Sequence, residues 1–513
     1  MSTSKSSKPE RPTFGVEVEF LIATFRAGGS FQDPHRHLGL PPVLRIPQEH
    51  FLFDKGEEYT HSRVKEVLVK CFGSLPPLPR PSTSISQTAP TKTVLDKYQD
   101  WTTESDGSIL PTANSPYNLV PIEIRSPVQH ASPKAFESIS VAISAITSKF
   151  RCEVNLSCGV HVHVGLGAER MSLEHIRRCA SLSYAVEPLL FTLHDPVRKA
   201  NVYCQSLRDH SYLANDVEEK KLELEHDTNE SAHPDFTFLC HRYMGRERRH
   251  GEFPMSARED NADQTHIDAF LETRKPGHFE PFTGPGDSRH TQILPSDVSR
   301  ELDLRISAAR DAQLPPTMTP PAEPPRKRHA PRVRLPPFDL ERLLSSARAL
   351  STLSAVILDV LLSRTDAGGP GTSVFEATRR IYAQPASCHI AAQLSSHERP
   401  AISFQSYQCD RLTSSKTTMR TIEFRMGSGS LDGEWIATWA RICVGLFTFA
   451  LYASPGDFFG VLANCDRAGK EDGVYDVVDL LDDVGLFAEA AYVEKRLMAN
   501  RGRWGLEFVE SGA

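Results

Sequence analysis

Paired cysteines are what this 513-residue chain most plainly lacks. Its ten cysteines (71, 152, 158, 179, 204, 240, 388, 409, 443 and 465) never stand in a CxxC, which argues against a zinc knuckle and against a secreted disulfide framework. Reduced thiols in a cytoplasmic protein are therefore expected. Excess positive charge is also missing: 58 Lys and Arg against 65 Asp and Glu give a net charge of −7, so neither nucleic acid nor a membrane is expected as a partner. The opening residues, MSTSKSSKPERPTF, hold no apolar core of the kind a signal peptide needs. The longest apolar stretch, Ile436 to Ala453, carries Arg441 and Thr448 and reads as a buried helix. A hydrophobic fraction of 39% with 37 prolines implies that a sizeable part of the chain does not pack.

Along the chain, residues 1–12 read as a disordered tail and Thr13 to Ala23 as the first strand. A helix is expected near 61–72, then a loop over 73–92, then a strand from Leu119 to Arg125. Ser132-Pro133 marks a helix start, and Phe136, Ile139, Ile143, Ile146 and Phe150 form one apolar stripe after it. Strand Cys158 to Gly165 follows, and Ser172 caps a second helix running to His194. This rhythm predicts an α+β fold. Between 208 and 337 the chain turns polar and proline-rich and reads as a largely disordered insertion, with helical patches near 216–226 and 296–311. Asp339 opens a helix predicted to run through Leu361, strands are expected at Ala401–Tyr407 and Thr418–Met426, and Asp432 caps the closing helix. Shorter helices are expected in 473–500, and 501–513 reads as a tail. One catalytic domain is thus expected from 13–207 joined with 338–500 across the insertion.

Four of the strand-like segments carry polar pairs two residues apart: Glu17/Glu19, Glu123/Arg125, His161/His163 and Glu423/Arg425. Alternate residues on a strand share a face, so each pair projects from one side while residues such as Val16, Val18, Ile122, Val162 and Phe424 pack behind. A lone Glu-x-Glu is what any half-buried strand shows, and a lone Glu-x-Arg is an ordinary strand ion pair. Repetition of the polar face from strand to strand points instead to a shared site. Converging carboxylates repel unless a cation lies between them, and acids with histidine suit Mg2+ or Mn2+. Asp106, in DGS, is a further candidate acid, and the exit Gly427-Ser-Gly429 offers amides that could approach phosphate.

The ordered set FGVEVEF, DGS, VPIEIRSP, CGVHVHVG and RTIEFRMGSGSLDGEWIATW, supported by HDPVRKANVYCQSL and RPAISFQSY, resembles the amidoligase family of the glutamine synthetase and glutamate–cysteine ligase superfamily. The resemblance covers most of the expected folded part and leaves out 208–337. It implies a glutamine synthetase-like antiparallel sheet forming a half-barrel funnel, with helices behind and ATP and metal in front. It also implies that Glu17, Glu423 and His161 share one Mg2+, that Glu19, Glu123 and Asp106 hold another, and that His163 lies near the nucleotide phosphates. Arg425 would stabilise the transferred phosphoryl group, and Arg125 and Arg198 would bind phosphate or a substrate carboxylate. The activity implied is ATP-dependent joining of a carboxylate to an amine through an acyl phosphate, on small-molecule or peptide substrates.

Two other classes remain open. A metal-dependent hydrolase uses acids and histidines around activated water, and an inactive scaffold would retain the fold and recruit partners through the proline-rich, basic 324–334 stretch. That stretch reads either as a solvated linker or as a nuclear import signal at 326–334. The acid, the amine and the oligomeric state are not specified by any motif.

Overall fold

A computed structural model describes residues 11–28, 32–50, 55–72, 100–167, 171–215, 328, 330–336, 339–362, 371–396, 399–407, 420–471 and 473–509. Its sheet is built around β1, Thr13–Arg26, in which Phe14, Val16, Val18, Phe20 and Ile22 are buried. Each such side chain contributes about 1.5–3 kcal/mol through removal from water. β2 (Leu44–Ile46) runs parallel to the end of β1. The other strands are β3 (Thr102–Glu104), β4 (Asn118–Arg125), β5 (Gln129–His130), β6 (Cys152–Glu153), β7 (Gly159–Gly165), β8 (Arg332–Val333), β9 (Ile402–Ser403), β10 (Ile422–Ser428) and β11 (Phe508–Val509). The main path is β3-β4-β1-β7-β10-β9, antiparallel throughout, while β5 and β6 pair antiparallel with β1. The fold is mixed α+β with a mostly antiparallel sheet.

Helices cover one face. Helix α1 spans Lys55–Phe72, longer than expected, and α2 spans Pro133–Lys149, with the Ser132 side chain accepting from the Ala135 amide and proline in the first turn. Helix α3 spans Leu173–Phe191, capped by Ser172 through the His175 amide. The helix Gly433–Tyr452 starts at Asp432, whose carboxylate accepts from the Glu434 and Trp435 amides. It is long and apolar enough to cross a membrane, but 72% of its most apolar window is buried inside the protein, as a core helix. One buried cluster holds Val16 and Val162 with Ile422, Trp435, Trp439 and Leu481.

Several expectations need correction. The helix opened by Asp339 ends at Leu350 and a new one covers Ala355–Leu361. Serine chemistry makes the break: Ser351 Oγ accepts from the Leu353 amide, Ser354 Oγ caps the second helix through the Ile357 amide, and the Thr352 carbonyl accepts from Ala113. The segment expected as a strand at Ala401–Tyr407 pairs only at Ile402–Ser403 and then tightens into a 3-10 turn at Gln405–Tyr407, begun by Ser403 Oγ accepting from the Gln405 amide. Both edges of the 208–337 segment are folded: Leu207–His210 is helical, Leu213 is buried, and β8 pairs with β11, residues placed in a C-terminal tail. Within the basic stretch, Arg328 and Arg332 are ion-paired to Asp476 and Asp479. Residues 216–327, with the helical patches at 216–226 and 296–311, lie outside the described residues, as do residues 1–10 and 418–419.

Candidate active site

The sheet face turned away from α2, α3 and Gly433–Tyr452 carries the polar pairs, and strand register sets them in rows. Thr102 of β3 pairs with Arg125 of β4, Arg125 with Glu17 of β1, and Glu17 with His161 of β7. The next row runs Glu104, Glu123, Glu19. On the other side His163 pairs with Glu423, and Glu423 with Ser403. Residues scattered from 17 to 425 thereby share one floor.

Two groups of three ligand-bearing side chains lie on it, each with its ligand atoms within 4.8 Å of one another: Glu17, His163 and Glu423, and Glu19, Asp106 and Glu123. The second is the trio implied by resemblance, including Asp106, which lies two residues beyond β3 with its carboxylate accepting from the Ser108 amide at 2.7 Å. In the first, His163 occupies the place expected for His161. His161 sits between the groups, with Nδ1 3.2 Å from Glu17 and 3.8 Å from Glu423, and Nε2 3.7 Å from Glu19. The His161 Nδ1–H donates to Glu17.

The electrostatics are those of a crowded acid cluster. Burial, then the charges of Glu17, Glu19 and Asp106, push Glu123 up to about 8 in spite of Arg125 beside it. Burial opposes ionisation of Glu17 too, but the charge of His163, 3.4 Å away, and the hydrogen bond with His161 hold it well below the usual carboxylate range. Glu423 is lowered against its burial by Arg425 and by the two histidines. Burial alone would lower His163, and the charges of Glu17 and Glu423 reverse that and carry it to about 9. Glu19 is 2% exposed; its Oε2 accepts from the Gly159 amide at 2.6 Å, and its Oε1 has no hydrogen-bond partner. A buried carboxylate oxygen without a donor is costly. Two oxygen-rich trios, an orphaned carboxylate oxygen and an acid whose ionisation its burial and acidic neighbours oppose fit a hard divalent cation such as Mg2+ or Mn2+. Glu19, Asp106 and Glu123 would hold one, and Glu17, His163 and Glu423 are placed to hold a second.

The arginines are engaged. Arg125 meets Glu17 at 3.1 Å and Glu104 at 2.5 Å and also bonds Glu123. Arg425 bonds Glu423, and its Nε donates to the Tyr203 carbonyl at 3.4 Å. Arg198 is buried and donates to the carbonyls of Arg425 and Cys158. The expected phosphate-facing amides are consumed: Ser428 N–H donates to His194 Nδ1 and Gly429 N–H to the Cys158 carbonyl. Gly427 and Gly429 are instead required by packing, because a Cβ on either would collide with Val160 or Cys158.

Glu104 was not foreseen, although its spacing from Asp106 in TTESDGS offered the signal; it pairs with Glu123 across β3 and β4 and adds a third carboxylate to Arg125. Thr421, whose Oγ1 lies 3.3 Å from His163 Nδ1, was also missed. Residues 10–240 match the family described as "Putative amidoligase enzyme". No curated protein and no solved structure matches the chain.

Proposed function

We propose, from the premise that residues 10–240 of this chain belong to the amidoligase family, that the protein is an ATP- and Mg2+-dependent carboxylate–amine ligase on a glutamine synthetase-like fold. The supporting observation is the convergence of Glu17, Glu19, Asp106, Glu123 and Glu423 with two histidines and two arginines on one antiparallel floor. A bound divalent cation supplies charge neutralisation for a triphosphate and its transferred phosphoryl group.

The chain's own residues do the rest. The two acidic trios bind and space the cations. Arg425, locked to Glu423 and the Tyr203 carbonyl, presents a fixed positive charge toward the transferring group, and Arg125, held by three carboxylates, keeps β1, β3 and β4 in register while lowering the local negative potential. His163 serves the first trio and the phosphates beside it. A substrate carboxylate oxygen attacks the γ-phosphorus and ADP departs, giving an acyl phosphate. An amine then attacks the acyl carbon, phosphate departs, and the amide remains after the amine loses a proton. No enzyme nucleophile is consumed. This agrees with the thiols of Cys158 and Cys204, which burial holds at about 12 and about 11, far from the thiolate form.

The test is a screen of the purified full chain for amine-dependent phosphate release from ATP with Mg2+, over panels of amino acid and peptide acids and amines. Wild type should release phosphate with matched amide product, and Glu17→Gln and Arg425→Ala should not. Activity unchanged by both substitutions would remove the proposed site.

A further inference from the structure

We propose that Arg198 is a positioning residue: from the same sheet face as His161 and Glu19 it holds a β-bulge in β10 that aims Arg425. The proposal rests on the ligase reading for what Arg425 does there, but not for the geometry itself. Between Phe424 and Gly427 β10 advances three residues while β7 advances two, from Val162 to Val160, so one extra residue is accommodated opposite His161. Bulges re-aim side chains and leave backbone groups out of the ladder. At this bulge the groups of Arg425 are pinned individually. Its amide donates to the Ala401 carbonyl at 2.8 Å, its carbonyl accepts from Arg198 Nη2 at 3.0 Å, its side-chain Nε donates to the Tyr203 carbonyl at 3.4 Å, and its Nη1 bonds Glu423.

The segment that supplies Arg198 is itself anchored to β10. Asp195 N–H donates to Ser428 Oγ, and the Asp195 carboxylate caps the 3-10 turn Pro196–Ala200 through the Val197 amide at 3.1 Å. Tyr203, five residues past Arg198, offers the carbonyl that takes Arg425 Nε. One short stretch therefore grips Arg425 at backbone and side chain together.

Room for the guanidinium comes from Gly159. A Cβ there would stand 2.5 Å from Arg198 Nη2, 2.9 Å from His161 Nε2 and 3.2 Å from Glu19 Oε2. Arginine is 4% exposed at this position, its Nε lacks a hydrogen-bond partner, and Nη1 and Nη2 donate to the carbonyls of Cys158 and Arg425. A charge buried on carbonyl acceptors is expensive if only packing is needed. The planar fork, which reaches the carbonyl just before β7 and one within β10 with two separate donors, is what lysine cannot reproduce. On this proposal Arg198 acts on the chemistry through Arg425.

The experiment compares Arg198→Lys, Arg198→Ala, Arg425→Ala and the double variant Arg198→Ala/Arg425→Ala in the full chain, with thermal melts to establish folding. Two readouts are taken: the affinity for AMP-PNP with Mg2+, and hydrogen–deuterium exchange of the 422–428 amides. Arg198→Ala should weaken AMP-PNP about tenfold, as loss of a charge-assisted contact does, and should add nothing in the Arg425→Ala background. Arg198→Lys, which keeps the charge, should not restore affinity. The 422–428 amides should exchange faster in both Arg198 variants, while β1 and β4 amides keep their wild-type rates. Additive losses in the double variant, or unchanged 422–428 exchange in a folded Arg198→Ala or Arg198→Lys protein, would overturn the proposal. If wild type fails to bind AMP-PNP, the ligase reading falls, and the exchange comparison alone decides whether Arg198 holds the bulge.

Discussion

Two acidic regions of this molecule use the same residue types to opposite ends. At the C-terminal side, Asp476 accepts from Arg328 Nη1 at 2.8 Å and from the Val333 and Val478 amides at 2.7 and 2.9 Å, Asp479 meets Arg332 at 2.7 Å, and Glu494 takes the Ala330 amide. These acids are saturated by donors, and they fasten 328–334 to the helices Val477–Asp483 and Phe487–Trp504. On the sheet floor carboxylates outnumber their cations, Glu19 Oε1 has no donor, and Glu123 is driven to about 8 first by burial and then by its acidic neighbours. Saturated acids are structure. An excess of buried acid is stored repulsion, and it is tolerable where a ligand completes the charge balance.

The contrast can be broken first through activity. Glu19→Gln and Glu423→Gln should each lower Mg2+-dependent turnover by on the order of a hundredfold or more, as expected when electrostatic stabilisation of the transferring group is lost, whereas Asp476→Asn should stay within a fewfold of wild type in the same assay. Next in size is stability. Asp476→Ala leaves the buried Val333 and Val478 amides without their acceptor and removes one of the two carboxylates on Arg328, and should cost about 1–3 kcal/mol in urea unfolding, the range for stranding buried donors.

Opposite signs are expected from neutral substitutions. Glu123 has a folded-state pKa raised to about 8, so its favourable contribution is complete below the unfolded value and disappears as pH rises through about 8. Without divalent cation at pH 8, Glu123→Gln should therefore raise stability by on the order of 1 kcal/mol, while Asp476→Asn lowers it. Adding Mg2+ should raise the Tm of wild type and should raise that of Glu123→Gln less. A stabilising Asp476→Asn, or a destabilising Glu123→Gln in metal-free protein, would erase the distinction.

A separate expectation concerns Glu187, an acid of neither region. It is buried on α3, accepts from Ser206 Oγ at 2.8 Å and the Leu207 amide at 2.6 Å, and is pushed up by burial to about 7 despite those donors. With the folded pKa above the unfolded one, stability should decline from about pH 4.5 through 7 on its account. Glu187→Gln should flatten that part of the Tm-against-pH curve, and an unchanged slope would show that the group titrates normally.

Much of this was legible in the sequence where the signal was local. Glu17/Glu19, Glu123/Arg125 and His161/His163 could be assigned to one face because β1, β4 and β7 alternate cleanly against valine and isoleucine, and α2, α3 and Gly433–Tyr452 announced themselves by caps and stripes. What escaped was either too short or too distant in the chain. β3 has three residues, too few for a period, so Glu104 went unseen beside Asp106. The pairing of Arg332–Val333 with Phe508–Val509 joins segments far apart in sequence, and no local pattern marks it. The break after Leu350 was hidden because the apolar spacing continues through it while serine side chains bond the backbone instead. The bulge at Arg425 shifts register by one residue, which alternation alone does not reveal, and the place of His163 beside Glu17 and Glu423 follows from three-dimensional geometry.

The most direct measurement is titration of the metal-free full chain with Mn2+, read by electron paramagnetic resonance, for wild type, Glu19→Gln, Glu423→Gln and Asp476→Asn. Saturable binding should survive in wild type and Asp476→Asn and should weaken sharply in both floor variants. Equal binding by all four proteins, or loss only in Asp476→Asn, would show that the sheet floor is not where the cation is held.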